Sequence, residues 1–198
     1  MIADWSELAA VLDADRTDPA DVDGLPRASV AAVFRNGETA GTELLFIQRA
    51  VRHDDPWSGH MAFPGGRHQV EDASAQATAM RETAEEVGLD LAPARPLGTL
   101  TDLDGGQANR RFVLVSGHGF WLDGERPRLQ PNHEVADVVW VPLQDLADPD
   151  RYVDHHYPPA DADFPGIRLD GPDQVVWGLT LRFLGDLFRR LGRPFIVD

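Results

Sequence analysis

The stretch FPGGRHQVEDASAQATAMRETAEEVGLDL, residues 63–91, decides how the chain is read. Its first part resists regular structure: Pro64, Gly65 and Gly66 break any periodicity, and the loop-like character reaches back to Arg52 through Pro56, Ser58 and Gly59. From 73 to 87 the composition turns to Ala and Glu. Asp72 or Ser74 is available as N-cap and Gly88 as the left-handed residue past the end, so a helix is predicted there. On it Glu82, Glu85 and Glu86 stand at i, i+3 and i+4, which puts three carboxylates on one face within about a turn.

Three anions brought together repel unless a cation joins them, and hard divalent ions such as Mg²⁺ or Mn²⁺ take oxygen clusters of this kind. Glu82, Glu85 and Glu86 are therefore candidate metal ligands. Arg81, four residues before Glu85, can pair with it and hold its rotamer. Gly65 and Gly66 let backbone approach a metal or a phosphate closely, and a carbonyl there, assigned to Gly66, is a further candidate ligand. A glutamate-rich helix is more often just a solvated face. The preceding glycine pair, the closing Val87-Gly88-Leu89 and the β-rich flanks favour a site.

Outward from this segment, 28–34 and 43–50 read as apolar strands separated by the turn-like NGETAG at 36–41. Further strands are predicted at 97–103, 111–116, 119–122 and 135–141, with a turn at 104–106 and a short helix starting at 142–146. At the N-terminal end, 4–13 has helical spacing and 18–26 reads as linker. The stretch 148–173 carries Pro149, Pro158, Pro159, Pro165 and Pro172 among aspartates and is predicted as a long loop. Val176, Leu179, Thr180, Phe183, Leu184, Leu187, Phe188 and Leu191 then mark an amphipathic C-terminal helix. The organisation expected is one domain over 1–198: an N-terminal helix and linker at 1–26, a core at 28–147, and a loop plus helix at 148–198.

At 198 residues the chain is long enough to bury about 70% of its extended surface on folding. The absence of cysteine excludes disulfides, thiolate metal sites and a cysteine nucleophile. A formal charge of −15 argues against nucleic acid as a partner, since a surface of that sign repels phosphates. No apolar run approaches the ~20 residues of a membrane span. Asp4, Glu7, Asp13 and Asp15 leave no basic start for a secretory signal, so the expected location is cytoplasmic, with no membrane partner.

Residues 66–89 resemble the Nudix box: glycine, spacer, acidic residue, spacer, then Arg-Glu-apolar-x-Glu-Glu-x-Gly-apolar. The second half matches at Arg81, Glu82, Glu85, Glu86, Gly88 and Leu89, with Thr83 where an apolar residue is usual. The spacing from Gly66 to Arg81 is one residue longer than in the general pattern. Ala73 occupies the usual glutamate position, and Asp72 takes the acidic place. This lengthening, Phe63-Pro64-Gly65-Gly66, the upstream Leu45-Phe46-Ile47-Gln48-Arg49-Ala50, Gly59 and Trp177-Gly178-Leu179-Thr180 are similar to the coenzyme A pyrophosphatase branch. Asp54 and Asp55 stand where that branch has a basic residue, with Arg52 displaced from it.

The resemblance implies an α/β fold, an α/β/α sandwich around a mixed β-sheet, here with an added C-terminal helix. It implies hydrolysis, dependent on Mg²⁺ or Mn²⁺, of a diphosphate linkage in a nucleotide derivative. Coenzyme A or acyl-coenzyme A comes first; nucleoside diphosphate sugars, ADP-ribose or nucleoside triphosphates are the alternative, and a non-catalytic nucleotide-binding module the third reading. Catalytic roles fall to Arg81, Glu82, Glu85 and Glu86, metal binding to the three glutamates and Gly66, and substrate binding to Arg49, Arg67, Gly65 and Gly66. Glu134 resembles the extra acidic residue that some members use as base, against the alternative of a surface carboxylate at a strand start. A homodimer is compatible with a small enzyme of this kind. His155 and His156 read as solvated, Trp140 and Trp177 as core, Trp57 and Tyr152 as packing residues; His60 and Arg67 flank the glycine pair, and Arg67 has the fork that suits phosphate.

Overall fold

A computed structural model of the chain describes residues 3–12, 25–37, 41–52, 57–105 and 113–196. Most of the expected linker at 18–26, the middle of the NGETAG turn, the end of the turn at 104–106 and both Asp54 and Asp55 fall outside these residues.

A short helix, α1 (Trp5–Val11), starts on a capping box in which the Asp4 carboxylate accepts from Ser6 and Glu7 N–H groups. Then come β1 (Arg27–Asn36), β2 (Thr42–Arg49), β3 (Met61–Ala62), β4 (Gly65–Arg67) and the helix α2 (Ala75–Val87). They are followed by β5 (Arg95–Thr99), β6 (Leu103–Asp104), β7 (Leu114–Leu122), β8 (Val135–Pro142) and the single turn α3 (Leu143–Leu146). Among the described residues these eight strands form one sheet, in which β1 and β7 run parallel and all other pairs antiparallel.

The paired central strands explain why the sheet is covered on both sides. Strand side chains alternate between faces. On β1 and β2, Ala31, Val33, Leu45 and Ile47 pack on one face with Ala79 and Val87 of α2. Their neighbours Ala32, Phe34, Leu44 and Phe46 pack on the other face with Leu8 of α1 and the C-terminal helix α4 (Gly178–Arg190). Helix α4 buries Phe183, Leu184, Leu187 and Phe188, each contributing about 1.5–3 kcal/mol. The result is the α/β/α sandwich around a mixed sheet that the resemblance implied.

Two expectations are corrected. The strands predicted at 111–116 and 119–122 are one continuous strand, β7. Gly117 interrupts the hydrophobic pattern because a Cβ there would meet the Phe183 ring at 3.0 Å, so α4 can approach only a bare backbone. More substantially, 148–173 is not a loop. After one 3₁₀ turn it forms β9 (Tyr152–Tyr157) and β10 (Ala162–Arg168), joined with β11 (Val175–Trp177) into a second, three-stranded antiparallel sheet. The prolines sit where strands tolerate them. Pro149 opens the 3₁₀ turn, Pro158 and Pro159 form the hairpin tip ahead of left-handed Asp161, and Pro165 lies where β10 pairs with β9 alone. Among the described residues no helix is long and apolar enough to cross a membrane.

Candidate active site

Helix α2 begins on Ser74, whose hydroxyl accepts from the Ala77 N–H, and ends on Gly88 at φ +68°. Ser74 is thus the N-cap, and the helix starts two residues later than predicted. Its inward face is small and polar: Ala75, Thr78, Ala79, Thr83, Glu86 and Val87 are buried. Thr83, standing where an apolar residue is usual, donates its hydroxyl to the Ala79 carbonyl at 2.7 Å, so its burial leaves no polar group unmet.

Strand β4 carries the glycine pair across from β1, with Gly65 opposite Val30 and Gly66 opposite Ser29. Both glycines are required by space. A Cβ on Gly65, at φ +156°, would lie 2.3 Å from the Ser29 carbonyl oxygen, and one on Gly66 would lie 2.5 Å from the Glu82 carboxyl carbon. The bare backbone therefore lets two carboxylates of α2 settle against β4.

Glu86 is 2% exposed and accepts the Gly65 N–H at 2.9 Å. Burial pushes its carboxyl up to about 7 against that hydrogen bond and the nearby Arg49 charge, and the negative charges of Glu82 and Glu134 add to the rise. Glu82 is also raised by burial, with Arg81 opposing and Glu85 and Glu134 reinforcing. Glu82, Glu86, Glu134 and Arg49 thus form one electrostatic neighbourhood around the glycine pair. Glu85 adds its charge to Glu82 from the rim of this neighbourhood. Its side chain is 53% exposed and turned to Arg81 at 3.2 Å. Among the described residues no three His, Asp or Glu side chains already form a metal-ready group.

Arg81 is the organising cation. It binds Asp72 through two parallel hydrogen bonds of 2.8 Å, donates to Glu82 at 2.9 Å and to Glu85, and caps the Arg67 carbonyl at 3.0 Å. Asp72 also accepts from the Gln69 N–H and the Thr78 hydroxyl. Held chiefly by Arg81, its carboxyl lies well below the usual carboxylate range. The 67–72 loop is thereby pinned to the helix. The Arg67 side chain is exposed.

Glu134 stands just before β8, its carboxylate 2.9 Å from Arg52 with both groups about half exposed, and its carbonyl accepts the Ala50 N–H. Sequence reading passed over the residue that places it. Asn132 donates its amide to the Glu85 carbonyl at 2.9 Å, its N–H bonds the Glu86 carbonyl, and its side-chain oxygen accepts the Glu134 N–H at 2.7 Å. These contacts satisfy carbonyls that the end of α2 would otherwise leave open. The only sequence signal was an asparagine two residues before a candidate acid.

Two further placements differ from expectation. Trp177 is half-buried rather than core, ringed by His60, His155, Tyr157 and Phe164. His155 belongs to that cluster, and burial lowers its pKa, with His156 adding to the effect. Trp140 is half-buried under the Arg35 guanidinium, 5.6 Å from its ring centroid.

The sequence pattern that defines the NUDIX domain matches residues 25–162. An uncharacterized protein of Schizosaccharomyces pombe is 39% identical over 111 residues, which is 54% of this chain and 34% of that one; the chain spans about a third of that relative's length. An uncharacterized Nudix hydrolase, NudL, of Yersinia pestis is 27% identical over 150 residues, covering 74% of this chain and 72% of its own. The structure of a MutT/nudix family protein from Enterococcus faecalis superposes with a TM-score of 0.58 at 18% identity, over 89% of this chain and 65% of that one. The Ap4A hydrolase of C. elegans gives 0.51 at 20% identity, over 61% and 82%. At such identities the two structures speak to the fold.

Proposed function

Because the chain belongs to the NUDIX domain family, we propose that it is a divalent-metal-dependent pyrophosphohydrolase of nucleotide derivatives, with coenzyme A or acyl-coenzyme A as substrate and adenosine 3',5'-bisphosphate plus phosphopantetheine as products. The observation that carries this reading is the carboxylate pair, half-buried Glu82 and buried Glu86, held against the bare backbone of Gly65 and Gly66. Glu82 is paired with Arg81, but the Glu86 charge is costly there without a cation. An ionised carboxylate buried without a counterion is normally avoided or protonated.

The donor set fits Mg²⁺ or Mn²⁺: carboxylate oxygens from successive turns of α2 beside a backbone that a Cβ would obstruct. Glu82 and Glu86 would hold the ion, with the Gly66 carbonyl, and Glu85 would join after leaving Arg81. Bound there, the ion neutralises diphosphate charge and acidifies water. The chain's own residues do the rest. Arg49 and Arg67 bind and orient the phosphates, and the Arg81–Asp72 clamp keeps the carboxylate helix in register with the glycine pair. Glu134, half-exposed and near the same charges, takes the proton of the attacking water. The water oxygen bonds to one phosphorus, the bridging P–O bond breaks, and the second phosphate leaves with its electron pair.

Mass spectrometry of products from coenzyme A, ADP-ribose and a nucleoside triphosphate, each with Mg²⁺ and with Mn²⁺, tests the reading. Cleavage of coenzyme A at its diphosphate is expected. Cleavage of ADP-ribose with coenzyme A intact would refute the substrate, and no cleavage of any of them by folded protein would refute the enzyme.

A further inference from the structure

Outside the carboxylate site, the strongest unassigned feature is aromatic. Trp177 is the centre of a cluster in which ring centroids lie at 4.6 Å for His60, 4.8 Å for His155, 4.9 Å for Tyr157 and 5.5 Å for Phe164, with interplanar angles from 37° to 62°. These rings come from separate places in the chain: the turn before β3, both strands of the second hairpin, and β11. A packing core would seal them. Here the other four are only half-buried, and Phe164 is exposed. Trp57, a further exposed apolar residue, opens the turn that leads into His60, where the His60 N–H bonds the Trp57 carbonyl, and exposed Val51 lies beside Gly59 of that turn. Apolar surface gathered in this way is a mark of a binding face rather than of scattered exposure.

The cluster adjoins the carboxylate site. The His60 carbonyl accepts the Arg49 N–H at 3.0 Å, and Gly59 donates back to the Arg49 carbonyl. Arg49 is the cation felt by Glu86, and Ser58 of the same turn accepts the N–H of Arg52, the ion-pair partner of Glu134. The charge pattern divides the region. Cations stand on the carboxylate side, while Asp154, Asp161 and Asp163 surround the hairpin, with Asp163 2.8 Å from His156. A phosphate is disfavoured on the hairpin, whereas a neutral flat ring meets ring faces and edges there.

We propose that the Trp177 cluster is the platform on which the purine base of a nucleotide stacks, so that base and diphosphate lie on opposite sides of the 57–60 turn. Calling that nucleotide the substrate rests on the function proposed above; the base site itself does not. Stacking on an aromatic side chain changes affinity by roughly tenfold or more per base.

Calorimetric titration of the full chain, without added metal, with AMP and with ribose 5-phosphate tests this. Neither probe contains a diphosphate, so the result is independent of hydrolysis. AMP is expected to bind about tenfold or more tightly than ribose 5-phosphate, and the difference should vanish in Phe164→Ala and in Tyr157→Leu. Melting curves of the two variants identify those that remain folded. Equal binding of the two probes by the wild type, or a base preference that survives in both folded variants, would overturn the proposal even if coenzyme A is hydrolysed.

Discussion

Replacing Glu86 by Gln should make the metal-free protein more stable while destroying its activity. The folded state holds this carboxyl at about 7 against an ordinary 4.5. A raised carboxyl binds its proton more tightly in the folded state, so wild-type stability falls as pH rises from about 4.5 to about 7 and stays reduced above that. At about 1.4 kcal/mol per pH unit the loss is roughly 3 kcal/mol. The Gln variant escapes it but exchanges a charge-assisted hydrogen bond from Gly65 for a neutral one, a cost of about 1 kcal/mol. The net gain at pH 8 with chelator is about 2 kcal/mol, or about 4–8 °C in a chain of this size. At pH 5 the gain should disappear, because the wild-type carboxyl is then protonated. Scanning calorimetry at both pH values, with EDTA and with Mn²⁺, reads all of this. Mn²⁺ at about 100 times its Kd should stabilise the wild type by about 2.7 kcal/mol and the variant far less. A variant destabilised equally at pH 5 and pH 8, or one that gains as much from Mn²⁺ as the wild type, would refute the reasoning.

The two glycines should separate in their effects. Gly65→Ala sets a Cβ against backbone at positive φ and is expected to lower stability by about 2–3 kcal/mol in urea titration. Gly66→Ala presses only on the Glu82 side chain, so turnover should fall with little change in the urea midpoint. For Asp72→Asn, which loosens the Arg81 clamp, kcat/KM should drop about 10–100-fold; an unchanged rate removes the clamp from the mechanism. Asp186, buried in α4, accepts from Thr101 and pairs with Arg190. Burial alone would raise its pKa, but these partners outweigh burial and lower it, so its contribution is present above about 3.8 and lost as pH falls through the depressed value. Asp186→Ala should cost about 3 kcal/mol at pH 7, and a loss below 1 kcal/mol would show the network to be idle.

Much of the fold was legible because its signals are local. Ser74 and Gly88 bracket α2, and β1 is apolar on every residue from 30 to 34 and β2 from 44 to 47 because both faces are covered. The hairpin at 152–168 was illegible for the opposite reason: its strands bury little, so proline and aspartate dominated the reading although each proline occupies a turn or an edge. In the site, spacing foretold which carboxylates share a face of α2. It could not foretell that Glu86 turns inward to Gly65 while Glu85 turns outward to Arg81, since that depends on where β4 lies. Asn132 escaped notice because its role exists only once the chain returns to the end of the helix. Trp177 reads as core from the sequence, whereas it precedes the helix and faces the hairpin.

The Asn132 bridge makes the end of α2 and the approach to β8 a single rigid piece. These bonds tie the Glu134 backbone to the turn of α2 that carries Glu85 and Glu86, so a displacement of the helix end carries the start of β8 with it.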